Sequence, residues 1–262
     1  MFYSCFLFLL TLNVLSAGRV PQPEERIIGG SFIDIEQVPW QVSLQFKGRH
    51  ICGGSIYSKD IIITAAHCCI TVEGLPLDAK DFETRVGSAL SNTGGRLVKV
   101  AAIKPFETYV SKTTESDIAV MRLSEPLEFT NNVQPIPLAE YNPAPGTLAF
   151  VSGWGATSAQ HSYLNGLEDV EYSYPKHLQG VLLQINRPTN IFGGLLFSLR
   201  QDLISAGSFW QTTCRGDSGG PLVVNQQLVG VVSSGSGMCN GTAAFTSVPY
   251  FKKWILNAIK SI

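Results

Sequence analysis

The sequence predicts an all-β protein closed by one C-terminal α-helix, and three observations carry that expectation. Apolar and polar residues alternate with a period of two along short runs, which is the pattern of strands. Twenty-five glycines and 14 prolines punctuate the whole chain of 262 residues, so turns are frequent, as in barrels and sandwiches. Only the last stretch carries a clear helical period.

The strands come first. Val42, Leu44 and Phe46 alternate with Gln41, Ser43 and Gln45, which predicts a half-buried strand. Ile61-Ile62-Ile63-Thr64 is a short β-branched run, favoured in a pleated sheet. Leu222-Val223-Val224, then Asn225-Gln226, then Leu228 to Val232 read as a hairpin. The helix is predicted by Phe251, Trp254, Ile255, Ala258 and Ile259, which share one face, with Pro249 just before it.

Both ends of the N-terminal segment are marked. The apolar run from Phe6 to Leu15 is too short to span a bilayer and leads into Ser16-Ala17-Gly18, so residues 1–18 are expected to be a cleaved signal peptide. Residues 19–26 hold two prolines and no apolar face and are not expected to fold alone. They end at Arg26, a natural nick site. Residues 27–262 form the remaining domain.

Composition excludes some partners. Apolar residues make up 45% and charged residues 15%, with a formal net charge of −1. That balance offers no electrostatic case for a nucleic-acid or membrane partner. Of six cysteines, Cys5 leaves with the signal, so Cys52, Cys68, Cys69, Cys214 and Cys239 remain. Five is odd, so at least one lacks an intrachain partner. With no C-x-x-C and no paired histidines, disulfides in an oxidising compartment are favoured over zinc. Cys68 and Cys69 are adjacent, and either could reach Cys52.

Three short segments point to chemistry. Thr64-Ala65-Ala66-His67-Cys68, Ser116-Asp117-Ile118-Ala119-Val120 and Gly216-Asp217-Ser218-Gly219-Gly220-Pro221 occur in that order. Each alone is ambiguous: a histidine is usually structural, an aspartate a turn residue, a Gly-rich stretch a loop. Together they supply a nucleophile, a base and an orienting carboxylate. A serine hydroxyl needs a base to take its proton, His67 can act so, and Asp117 can hold the imidazole tautomer.

These segments, with Ile27-Ile28-Gly29-Gly30, Pro39-Trp40-Gln41-Val42-Ser43-Leu44, Cys52-Gly53-Gly54-Ser55 and Gly153-Trp154-Gly155, resemble the trypsin/chymotrypsin family of serine proteases. The resemblance runs from Ile27 to the C-terminus and is poor from about 156 to 209. It implies two packed six-stranded antiparallel barrels with the active site between them. It also implies a triad of His67, Asp117 and Ser218, and an oxyanion hole from the backbone N–H groups of Gly216 and Ser218. Ser233 falls where the family supports the buried aspartate. Cleavage after Arg26 would free an Ile27 ammonium to pair with Asp217. Disulfides Cys52–Cys68 and Cys214–Cys239 are implied by the same resemblance, while a third family bridge, near Ile191 and Ser205, has lost both cysteines.

Departures from the family pattern bear on specificity. Thr212 stands where trypsins place an aspartate for Lys or Arg, so the expected pocket prefers apolar residues before the cut bond. Gly235 leaves its entrance open and Ala243 makes it shallower. Ser234 replaces a tryptophan that walls the substrate, a loss that Phe209 or Trp210 could fill. Asn240-Gly241-Thr242 is a glycosylation sequon beside the pocket. From Ser88 to Leu97 there is no Asp or Glu, so neither a calcium site nor another metal is expected, and no cofactor.

The expectation is a secreted, extracellular serine endopeptidase made as a zymogen. Its partners would be protein or peptide substrates, an activating protease and protein inhibitors. The short, cysteine-free segment before Arg26 fits a simple secreted protease better than a tethered cascade component. The competing reading is a binding protein on the same fold with little or no catalysis, suggested by Ser234 and the divergent stretch.

Overall fold

The computed structural model describes residues 28–71, 73–109, 115–164, 167–187 and 200–262. The expected signal peptide, the segment 19–26, Ile27 and Ile191 lie outside the described residues. Strand β1 (Ser31–Phe32) opens the described chain. The N-terminal barrel comes next: β2 (Gln41–Phe46), β3 (Arg49–Ile56), β4 (Ile61–Thr64), β5 (Phe82–Val86), β6 (Arg96–Pro105) and β7 (Ala119–Leu123). These six strands close in the order β2-β3-β4-β7-β6-β5.

The second half holds β8 (Leu148–Gly153), β9 (Ser158–Leu164), β10 (Leu167–Ser173), β11 (Gln179–Gln184), β12 (Leu203–Ala206), β13 (Pro221–Val224), β14 (Gln227–Ser234) and β15 (Ala243–Ser247). β9 and β10 form a separate antiparallel pair. The others make a sheet of order β1-β11-β8-β13-β14-β15-β12. Its ends meet at an Ile185–Ala206 bridge, backed by Asn186 N–H to the Ser205 carbonyl at 2.8 Å and Gly207 N–H to the Gln184 carbonyl at 3.1 Å. The expected second six-stranded barrel is therefore a half-barrel sheet, joined at one end by this bridge and not closed along its length, with β1 added on its β11 edge.

Local chemistry explains the elements. The run Ile61 to Ile63 is 2% exposed or less, so β4 contributes both faces to the core. The predicted hairpin is β13–β14, with Val224 opposite Gln227. Asn225 and Gln226 both take positive φ, 49° and 58°, the geometry of a two-residue turn whose twist matches the strands.

β2 departs from expectation. Its polar face is buried too: Gln41 and Ser43 are 0% exposed and Gln45 2%. The face is covered because the half-barrel sheet and the Ser91 loop pack on it. Ser152 Oγ donates to Gln41 Oε1 at 2.5 Å. Ser43 Oγ and Gln45 Nε2 donate to the Ser91 carbonyl. Alternation thus marks polar partners, not solvent.

Helix α1 (Val248–Ser261) starts where Ser247 Oγ accepts from Tyr250 N–H, with proline in its first turn. Its apolar face, Val248, Phe251, Ile255 and Ala258, packs into the core cluster of the N-terminal barrel. The helix therefore straps the second half to the first. Phe106 stacks on Phe251 and Trp254 with centroids 5.2 and 5.0 Å away. Arg122 of β7 bonds the Ile259 carbonyl in the last turn and the Ile262 carbonyl just past the helix, and pairs with Asp60. A cation there also suits the negative end of the helix dipole. Among the described residues no helix is long and apolar enough to cross a membrane.

Candidate active site

β4 and β7 pair with Thr64 opposite Ala119. The register therefore brings the turn after β4, which carries His67, to the same barrel rim as Asp117 just before β7. His67 Nδ1 lies 2.7 Å from Asp117 Oδ2, and His67 N–H donates to Asp117 Oδ1 at 2.9 Å. A third donor, Ser233 Oγ, reaches Oδ2 at 2.6 Å. The register of β14 against β15 shifts between Val232 and Ser234, so Ser233 sits in a bulge, which turns it out of the ladder toward Asp117. Thr246 Oγ1 holds the Asp117 carbonyl at 2.8 Å.

Asp117 is 0% exposed, whereas the His67 side chain keeps 29% of its surface. Burial lowers the His67 pKa, but the hydrogen bond and charge of Asp117 outweigh it, so the pKa lies above the ordinary imidazole value. Asp117 thus fixes Nδ1 as the protonated nitrogen and leaves Nε2, 3.8 Å from Cys68 Sγ, as the basic nitrogen.

Ser218 comes from the half-barrel. Its carbonyl accepts from Gly53 N–H at 2.7 Å, which docks the serine loop onto β3 of the first barrel. No hydrogen bond joins Ser218 Oγ to His67 among the described residues; such bonds tighten on substrate binding. The N–H groups of Gly216 and Ser218 have no acceptor among the described residues. Gly216 has φ +103°, and an added Cβ would stand 3.1 Å from the Gly155 Cα. Only glycine carries this turn without strain.

Asp217 is wholly buried and points the other way. Its carboxylate accepts from Gly155 N–H at 2.8 Å and Cys214 N–H at 2.9 Å. A side chain at Gly153 or Gly155 would overlap those oxygens, which explains why glycine flanks Trp154. Among the described residues Asp217 has no cationic partner. Burial pushes its pKa up to about 6 against the two N–H donors. A raised acid favours folding below its unfolded pKa and loses that contribution as pH rises through the folded value. At neutral pH the unpartnered carboxylate therefore costs about 3 kcal/mol.

Beside Ser218 lies a cavity of about 190 Å³. Ser233 and Gly235 line it as expected, and so do Ser234 and Ser236. Thr212 and Ala243 do not line it: both are 2% exposed and sit behind the wall, with Ala243 3.8 Å from where a Gly235 side chain would begin. The threonine on the cavity surface is Thr213. Phe209 and Trp210 are 56% and 75% exposed and stack on each other at 4.7 Å, so they do not replace the missing aromatic wall. Tyr172 lines the cavity instead, donating from its hydroxyl to the Gly237 carbonyl at 2.8 Å. Asn240, which follows the lining residue Cys239, accepts from Ser236 Oγ at 2.7 Å.

The disulfides Cys52–Cys68 and Cys214–Cys239 are both formed. Cys69 is the free thiol, buried, with Sγ 3.6 Å from the Ala65 carbonyl. Burial and then the nearby Asp117 charge raise its pKa, so it is inert at neutral pH.

The sequence reading missed Thr246, Thr213, His50 and Tyr172. Thr246 was reachable only through its register, because its partner Asp117 is 129 positions away. His50 is half-buried, with Nε2 3.2 Å from the Gly216 carbonyl and Nδ1 2.9 Å from Ser43 Oγ.

A closed antiparallel barrel carrying a histidine on a buried aspartate, beside a half-barrel sheet carrying a Gly-Asp-Ser-Gly-Gly loop whose Gly216 and Ser218 N–H groups are free among the described residues, defines a class: the serine-type endopeptidases. The chain belongs to the trypsin family, whose model matches residues 27–255. Trypsin alpha of Drosophila erecta and trypsin alpha of Drosophila melanogaster are each 40% identical over 250 residues, 94% of this chain and 92% of theirs. Trypsin alpha-4 of Lucilia cuprina is 40% identical over the same length.

Proposed function

We propose that this chain is a secreted endopeptidase that cuts peptide bonds through an acyl-enzyme on Ser218. His67 Nε2 takes the Ser218 proton as Oγ attacks the carbonyl carbon, and Asp117 stabilises the imidazolium that forms. The carbonyl oxygen becomes an oxyanion held by the N–H groups of Gly216 and Ser218. His67 then protonates the leaving amine, and water repeats the sequence to free the acid. The observation that carries this reading is the Asp117 carboxylate, which takes bonds from His67 and Ser233 at 2.7 and 2.6 Å beside the docked serine loop.

Activation is triggered by cleavage after Arg26. The Ile27 ammonium is the cation that Asp217 lacks. Ile28 supports this, because it packs against Cys214, Cys239 and Ala156, whose neighbours Cys214 N–H and Gly155 N–H hold Asp217. Secretion is favoured by the apolar run before Ser16 and by disulfides, which persist in oxidising compartments.

Residues preceding the cut bond are apolar and of moderate size. No Asp or Glu lines the cavity, so a substrate cation would be buried unpaired, while an apolar side chain gains about 25 cal/mol per Å². Thr212 and Ala243 act from behind the wall, through its depth. Asn240 is the acceptor of an N-linked glycan, its side-chain nitrogen having no partner among the described residues; a mass loss on glycosidase treatment tests this. A peptide library cut by the nicked enzyme and read by mass spectrometry tests specificity. Cleavage after Leu or Met is expected, and dominant cleavage after Lys or Arg would contradict it.

A further inference from the structure

Two clefts flank the Gly216–Ser218 turn, and a single side chain, Arg215, borders both. One is the 190 Å³ cavity beside Ser218. The other, of about 440 Å³, lies beyond Gly216 and is walled by His50, Ile51, Trp154, Tyr174 and Pro175. Neither lining contains an Asp or Glu. His50 adds no charge, because burial lowers its pKa to about 4.

Arg215 is exposed, and its guanidinium has no carboxylate partner among the described residues. It is nevertheless held in place. Its Cζ lies 5.6 Å from the Tyr172 ring centroid, and that ring is tied to the Gly237 carbonyl through its hydroxyl. A guanidinium stacked on a fixed aromatic keeps its fork of N–H donors free and loses little entropy on binding. Its backbone is equally fixed, with the disulfide residue Cys214 before it and the Arg215 carbonyl accepting from Ala156 N–H at 2.9 Å.

The side is decided by the turn itself. The oxyanion position at the Gly216 and Ser218 N–H groups divides substrate residues before the cut bond from those after it. The Ser218 cavity is small, lined by Tyr172, and takes the preceding side chain. The larger cleft takes the residues after the bond, and its aromatic walls can carry their stems while Arg215 stands at the edge.

We infer that Arg215 is a specificity residue that binds a substrate carboxylate within two residues after the cut bond. This rests on the endopeptidase reading above. The carboxylate can come from an acidic side chain or from a free C-terminus two residues beyond the bond.

The test uses the full chain nicked at Arg26, with active enzyme counted by fluorophosphonate labelling of Ser218. Peptide pairs share an apolar residue before the bond and a C-terminal amide, and differ by Glu or Gln at the first or second position after it. A second pair has no acidic side chain and ends two residues after the bond as acid or amide. A preference for the carboxylate member in kcat/KM of roughly five- to twentyfold is expected in about 50 mM salt, shrinking severalfold in about 500 mM. Arg215→Gln should bring the ratio close to one, and Arg215→Lys should keep part of it. A preference only in the second pair assigns the site to a chain end; one only in the first assigns it to a side chain.

If Ser218 labels and neither pair is discriminated, the carboxylate site is wrong and the endopeptidase reading stands. A preference that survives in Arg215→Gln also overturns it. If Ser218 neither labels nor turns over any peptide, both readings fall.

Discussion

Two buried aspartates, 100 positions apart and each 0% exposed, sit in regions finished to different degrees. Asp117 lies at the rim of the first barrel with its charge answered: His67 N–H, His67 Nδ1 and Ser233 Oγ all reach its carboxylate. Asp217 lies in the loop of the second half, and only two backbone N–H groups reach its carboxylate. Burial dominates there and lifts its pKa to about 6. Control can enter where a buried charge lacks its partner. The Asp117 region is assembled by folding alone, from strand register and one bulge. The Asp217 region remains one positive charge short among the described residues, the place where the proposed activation would supply a cation.

The largest expected effect sharpens the Asp117 side. Ser218→Ala should lower kcat by about four to six orders of magnitude while circular dichroism and melting stay unchanged. Residual turnover above that range would show that the hydroxyl is not the nucleophile.

Next in size is the Asp217 side. Asp217→Asn removes the charge that an ammonium would pair with, and breaking a buried pair costs several kcal/mol. Labelling of Ser218 in the nicked protein should slow by about 10²- to 10³-fold. An unchanged rate would show that the loop does not depend on that charge.

Ser233→Ala tests whether the third bond to Asp117 contributes. Hydrogen bonds to charged groups are worth about 1.5–3 kcal/mol, so kcat/KM should fall about ten- to hundredfold. The conservative Ser233→Thr should recover part of it if the bond, and not packing, is responsible.

The pH profile is the smallest effect. Neutral His67 is the active base, and its pKa is raised. Activity should therefore fall about tenfold per pH unit below a midpoint above the ordinary imidazole value. Replacing Asp117 by Asn should move that midpoint down. A midpoint unmoved by the substitution would separate His67 from the rate.

Much of this was legible in the sequence, for physical reasons. The β-branched run at Ile61, the Asn225-Gln226 turn and the helical face from Phe251 are local patterns, and each became the expected element. The two-barrel expectation came from resemblance, not periodicity, because joining the edges of a sheet depends on contacts such as Ile185 with Ala206 that no local window holds. The buried polar face of β2 was unreadable for the same reason, since its partner Ser152 lies 111 positions away. In the site, motif wording located the triad candidates and Gly235 of the pocket wall, but not the wall's threonine. Counting back from Ser218 reached Thr212, while the backbone presents Thr213 to the cavity. One residue of offset along an extended chain turns a side chain to the opposite face.

The Asp117 region is ready, and the proposed activation must complete the Asp217 region. Fluorophosphonate labelling of Ser218, timed in the intact chain and again after a single cut at Arg26, tests this directly. The account predicts slow labelling of the intact chain and a rise of at least about a hundredfold after the cut, with Arg26→Gln remaining slow under the same activating protease. Equal rates before and after cleavage would contradict it.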